Sequence, residues 1–236
     1  MPSSRRRVKR RRRSSSKREL RYSRSKSLRK RSAHLMANCP GSEILQLFTK
    51  RVGCGTFGCT YEATPETRAA VRQEFGRDDV LLKIIFDVEG EEPPSQQFKL
   101  AKRMDDLGVG PAVLTDKLIK CRDLRTREWR WAYVIQRLGM SASNYLRSVG
   151  RERGKADMHA LWPKIKARYE RMNDAGWTHN DIHYGNVLVQ VNSAGRAVDA
   201  FLIDFDRAEK YTRKTDPKFV RQSDEDWQAL YDMFGV

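Results

Sequence analysis

The stretch Thr178-His179-Asn180-Asp181-Ile182-His183-Tyr184-Gly185-Asn186, followed by apolar Val187 to Val189, constrains this chain more than any other. It joins the end of a helical pattern to a short strand, and it sets a carboxylate (Asp181) and a carboxamide (Asn186) five residues apart on a loop. Eighteen residues after Asn186, the apolar run Leu202-Ile203 ends on Asp204, followed by Phe205-Asp206. A base, an amide and a second acid in that order are what phosphoryl transfer from Mg-ATP requires. One carboxylate orients the hydroxyl nucleophile, while the amide and the second acid hold metal.

The nucleotide side of such chemistry needs a phosphate cradle and a cation, and both have candidates upstream. Gly53, Gly55 and Gly58 form a GxGxxG pattern in Arg51 to Ala63, where glycine lets backbone N–H groups approach phosphates without a Cβ in the way. The segment after Gly58 reads as extended rather than helical, which disfavours a dinucleotide fold. The strand Val80 to Phe86 is apolar except for Lys83. An ammonium in such a strand is costly to bury unless an anion meets it.

Several elements connect these motifs. Residues 64 to 79 read as a polar inserted connection, and Pro93-Pro94 opens a helix from Ser95 to Leu107 with Gln97, Leu100, Ala101 and Met104 on one face. Strands are expected over Ala112 to Ile119 and Trp129 to Gln136, and a short helix over Ala142 to Val149. A second helix is expected from Pro163, as a first-turn residue, to Ala175, with Ile165, Tyr169 and Met172 as its stripe. Val187 to Val191 and Val198 to Ile203 read as a hairpin, followed by a basic segment Arg207 to Lys218 and a closing helix around Asp224 to Met233.

The ordered set of GxGxxG, strand lysine, helix, strand to hinge, helix, HxDxxxxN and strand-DF resembles the protein-kinase-like superfamily over roughly residues 45 to 210. The resemblance implies a two-lobed α+β fold with a β-rich N-lobe and a truncated, mainly helical C-lobe, with ATP and Mg²⁺ as cofactors. It implies that Gly53, Gly55 and Gly58 cover the phosphates and that Lys83 contacts the α- and β-phosphates. Ile135 would back the adenine pocket, with backbone groups of Gln136 to Leu138 at the adenine edge. Asp181 would take or orient the acceptor proton, and Asn186 and Asp204 would bind Mg²⁺. His179 is expected in a structural role.

The sequence departs from the usual protein kinases in several places. Gln97 stands where the helix offers a glutamate to the lysine, Asn180 replaces an arginine of the catalytic loop, and Asp206 replaces the glycine of DFG. Only 32 residues follow Asp204, without Ala-Pro-Glu, so a peptide-docking platform is not expected. His183 and the run LIDFDRA are similar to aminoglycoside, choline and lipopolysaccharide-sugar kinases. A serine/threonine protein kinase with a protein substrate is the first expectation, on its hinge (Val134 to Ser141) and serine-rich tail. A small-molecule or sugar kinase and a non-catalytic nucleic-acid-binding or packaging protein are the alternatives.

Charge and cysteine content complete the expectation. Of the formal charge of +17, residues 1 to 31 carry +15, with 16 Lys and Arg against Glu19 alone. Residues 1 to 42 therefore read as a disordered Arg/Ser-rich tail suited to nucleic acid or another polyanion and to nuclear import. The N-lobe and hinge are expected over 43 to 139 and the C-lobe over 140 to 236. Cys39, Cys54, Cys59 and Cys121 form no CxxC pair and no metal-like grouping with the four histidines, so neither a zinc site nor a disulfide framework is expected. An intracellular protein with no membrane span and no secretory signal is expected: nuclear on the strength of its tail, or cytoplasmic.

Overall fold

The computed structural model describes residues 43–54, 58–87, 93–122 and 129–236. The tail 1–42 and Gly55 of the glycine motif lie outside the described residues. The remainder is an α+β, two-lobed kinase-like fold, in which a five-stranded antiparallel sheet stands before a mainly helical lobe.

The sheet contains β1 (Lys50–Cys54), β2 (Gly58–Glu62), β3 (Val80–Ile85), β4 (Ile119–Arg122) and β5 (Trp129–Gln136), in the order β1-β2-β3-β5-β4. Strand side chains alternate between faces, and this decides where the lysine goes. Val80, Leu82 and Ile84 pack with Cys59, Tyr61 and Val134 on one face, which the short helices α1 (Glu43–Gln46) and α2 (Arg68–Phe75) help to cover. Lys83 is consigned to the other face. There it lies opposite Tyr133 of β5 and shares the surface with Ile85, under Phe98 of α3 (Pro94–Asp106).

The helical lobe is built from α4 (Ala142–Val149), α5 (Arg151–Asp174) and α6 (Pro217–Phe234), packed against the hairpin β8 (Val187–Val191) and β9 (Ala197–Leu202). Ser141 caps α4 by accepting from Asn144 N. A two-residue strand, β6 (Met140–Ser141), adds to β8, and a second small pair joins β7 (Trp177–Thr178) to β10 (Glu209–Lys210). Among the described residues, no helix is long and apolar enough to cross a membrane.

Four expectations are corrected. Residues 64 to 79 are not a plain connection, since α2 forms within them and buries Val71. The strand expected over Ala112 to Ile119 is mostly absent. Only Val113 bridges to Ile135, Thr115 Oγ1 takes the place of a ladder partner for Val134 N, and β4 begins only at Ile119. Pro163 lies inside α5 rather than at its start. The buried stripe Met158, Leu161, Ile165, Tyr169 and Met172 runs through it at helical spacing, and that burial outweighs the roughly 3 kcal/mol a mid-helix proline costs. The fourth correction is a disulfide between Cys54 and Cys59. Their spacing is not that of a redox motif, but antiparallel pairing of β1 and β2 sets the two residues directly opposite, with Cα atoms 4.1 Å apart.

Candidate active site

The site begins with two unusual backbone positions. Asn180 and Asp204 are the non-glycine residues with positive φ among those described, at 61° and 64°. Asn and Asp tolerate the left-handed region better than other side chains, yet such residues persist only where their surroundings hold them. At Asp204 the turn breaks the direction of the chain after β9, enters the 3₁₀ turn Phe205–Arg207, and leaves the carboxylate half-exposed. At Asn180 it swings Asp181 out of the core.

The loop from Thr178 to Asn186 is fixed from three sides. His179 is fully buried, its Nε2 bonded to Ile203 O at 3.0 Å and its ring 5.2 Å from that of Phe205. Burial lowers its pKa, so it sits neutral as a spacer between the loop and the Asp204 segment. Asp226 of α6 reaches in from below. Its Oδ2 accepts from His179 N at 2.6 Å and from Tyr169 OH at 3.0 Å, and its Oδ1 accepts from Asn180 N at 3.0 Å. Burial pushes the Asp226 carboxyl up to about 6 against the pull of those donors. Asn180 Nδ2 then donates to Arg207 O at 2.9 Å, tying the loop to the 3₁₀ turn.

Asp181 is held within this frame by Asn186, whose Nδ2 donates to Asp181 O at 2.9 Å and to Oδ2 at 3.3 Å. The other carboxylate oxygen, Oδ1, faces Arg207 Nη1 at 3.8 Å. His183 Nε2 stands 4.0 Å from Oδ2. His183 Nδ1 accepts from Gly185 N at 2.9 Å, so the ring proton is on Nε2, toward Asp181. Gly185 leaves room for that pose, because a Cβ there would lie 2.7 Å from the imidazole and the exposed ring would have to shift.

Lys83 Nζ reaches across from the sheet to within 3.8 Å of Asp204 Oδ1. Burial draws its pKa down, but Tyr133, Asp206 and Asp204 outweigh burial and hold it above the ordinary value, so the ammonium stays charged. Tyr133, itself raised by burial, shares a hydrogen bond with Lys83. Gln97 is buried on α3, at the helix position read as its replacement for glutamate.

Lys83 and Asp204 thus meet across the lobes, while Asp181 and Asn186 meet on the loop. Gly53 and Gly58 stand on the paired strands β1 and β2, with Thr60 of β2 paired to Lys83. Gly58 is needed by β3 itself, since a Cβ would come within 2.1 Å of Ile84 O, whereas Gly53 has open space around its Cβ position. Gln136 ends β5 with its N–H on Ala112 O, and Leu138 is buried two residues before β6, where the chain passes between lobes.

Asn186 Oδ1 and the Asp204 carboxylate are hard oxygen donors of the kind Mg²⁺ takes, and the Asn186 amide nitrogen is turned toward Asp181, which leaves Oδ1 for a cation. Among the described residues no group of three or more His, Cys, Asp or Glu forms a self-contained metal cage. That suits an ion that shares its coordination with nucleotide phosphates.

The fold is that of a kinase of the protein-kinase-like superfamily. More narrowly, residues 96–234 match the model of the lipopolysaccharide kinase (Kdo/WaaP) family, more than half of the chain, and the chain belongs to that family. The match spans α3, the catalytic loop, Asp204 and α6, while the glycine hairpin and Lys83 precede it. No curated protein matches the chain.

Sequence reasoning missed Asp226 and Tyr169 as parts of the site. In the sequence Tyr169 reads as apolar stripe, which its ring is, although its hydroxyl bonds Asp226. A signal for Asp226 did exist. It falls on the buried stripe of α6 formed by Phe219, Ser223, Leu230 and Met233, and an acid at helical spacing among core residues needs buried donors.

Proposed function

We propose that this kinase transfers the ATP γ-phosphate to a hydroxyl of a saccharide acceptor. The family match supports the sugar-kinase alternative better than the serine/threonine protein kinase first expected. The observation that carries the reading is the surround of Asp181, where exposed His183 and Arg207 flank the carboxylate on its two sides. Hydrogen-bonding side chains on either side of the base suit an acceptor with several hydroxyls and anionic substituents more than a single serine on an extended peptide.

Asp181, held by Asn186, orients the acceptor hydroxyl and takes its proton as the oxygen attacks phosphorus. Lys83, kept charged by its neighbours, meets phosphate oxygens and moves toward them from Asp204. Asn186 Oδ1 and the Asp204 carboxylate would hold Mg²⁺, which when bound neutralises developing charge on the phosphates. Backbone of the β1–β2 hairpin covers the phosphates, and Gln136 to Leu138 border the adenine.

Labelled ATP with Mg²⁺, offered with deacylated lipopolysaccharide core oligosaccharide or with basic and acidic model proteins, tests this. Label is expected in the saccharide, with transfer by Asp181→Ala reduced on the order of 10²–10⁴-fold and lost in Asp204→Asn. Label only on protein serine or threonine would overturn the acceptor class. ATP binding without transfer to any acceptor would overturn the mechanism.

A further inference from the structure

A cleft of about 610 Å³ opens between α3 and the segment that follows Asp204, closed below by Asn180, Trp177 and Gln222 of α6. Its volume lies within the range of small-molecule sites. Three cations line it, Lys99 and Arg103 one turn apart on α3 and Arg207 beside the catalytic loop.

Two acids, Asp206 and Glu209, share its wall, and each has a partner outside this trio of cations. Glu209 is engaged by Lys218 at 2.6 Å and by Tyr211 OH, and the Asp206 carboxylate also acts on Lys83. Lys99 and Arg103 make no ion pair among the described residues, and Arg207 has only its 3.8 Å approach to Asp181. Three like charges facing one concavity repel one another, and a compact oxyanion removes that repulsion while accepting charge-assisted hydrogen bonds from two guanidinium forks.

We propose that this cleft is a second anion site, which binds a phosphate group through Lys99, Arg103 and Arg207 apart from the phosphates of ATP. A bound phosphate joins α3, the helix over the Lys83 face of the sheet, to the turn beside Asp181. It also draws Arg207 away from Asp181 Oδ1, leaving that oxygen to the acceptor hydroxyl. The phosphate is either a free ion or a substituent of the acceptor. The second source rests on the saccharide reading above, but the binding itself does not.

Binding of inorganic phosphate, glucose 6-phosphate and glucose is measured calorimetrically on the full chain saturated with a non-hydrolysable ATP analogue, so that the nucleotide site is filled. Wild type is compared with Lys99→Ser/Arg103→Ser and with Lys99→Arg/Arg103→Lys, all of which keep the basic tail, so its contribution cancels. Phosphate affinity is expected to fall at least tenfold in the serine double variant and to return in the charge-conserving one, with no binding of glucose. Tighter binding of glucose 6-phosphate than of phosphate assigns the acceptor as the source, and equal or weaker binding assigns the free ion. Unchanged phosphate affinity in the serine variant, at an unchanged melting temperature, overturns the site. Failure of the saccharide reading alone would leave these affinities intact.

Discussion

Replacing Asp226 tests the support of the catalytic loop, because one buried carboxylate accepts three hydrogen bonds from Tyr169 OH, His179 N and Asn180 N. Asp226→Ala leaves those donors without their acceptor, at about 1–3 kcal/mol for each buried group. Part of the loss is returned because the carboxylate is expensive to keep ionised. A carboxyl raised from 3.8 to about 6 stores roughly 3 kcal/mol of disfavoured charge at neutral pH. The net destabilisation by alanine is on the order of 3 kcal/mol near pH 7.

The direction of the pH effect distinguishes this account from simple loss of packing. Between pH 3.8 and about 6 the native carboxyl holds a proton that the unfolded one has released. Wild-type stability from this group therefore falls as pH rises through that window, and the cost is fully present above it. Asp226→Asn retains an acceptor but has no such titration. Its stability deficit against wild type should shrink by roughly 1–2 kcal/mol from about pH 5 to about pH 7.5 in urea unfolding. Asn should also preserve transfer better than Ala, whose kcat should fall at least about tenfold with KM for ATP little changed, since Asp226 positions the loop and touches no nucleotide. A deficit that is flat or grows with pH, or an alanine variant with normal kcat, would refute the reasoning.

Gly58→Ala should destabilise by at least about 2 kcal/mol, because its Cβ meets the Ile84 carbonyl at 2.1 Å, while Gly53→Ala, with open space, should stay within about 0.5 kcal/mol in the same unfolding assay. Equal effects of the two would show that the β2–β3 approach is not what demands glycine. Reduction of Cys54–Cys59 should lower stability by about 2 kcal/mol, the loop-entropy value for so short a closure, and a melting temperature indifferent to reductant would contradict it.

What the sequence disclosed depended on how local each feature was. The strand Trp129–Gln136 and the helix Ala142–Val149 carry their own patterning and turn signals, and both form with the expected bounds. The Asp181 to Asn186 loop was legible because its chemistry is spelled within a few residues. Asp226 and the Cys54–Cys59 bond were not, since each becomes a partner only through pairing made elsewhere: α6 against the loop, and β1 against β2. Pro163 misled for the opposite reason. A strong local stop signal was overruled by a buried stripe that continues on both sides of it.

Lys83 shows how such tertiary pairing changes a functional reading. The sequence raises a difficulty, with Gln97 where a helix glutamate would balance the ammonium, and an amide cannot neutralise charge. The fold answers it from another direction. Asp204 and Asp206 bring carboxylates from the other lobe, and Tyr133, directly across the ladder, adds a hydrogen bond. Placement of Lys83 therefore depends less on α3 carrying an acid than on the turn at Asp204, which sets one carboxylate 3.8 Å from the ammonium and a second near enough to act on it. The second aspartate, in place of the DFG glycine, supplies negative charge that Gln97 does not, so two apparent departures from the kinase pattern compensate each other at a single ammonium.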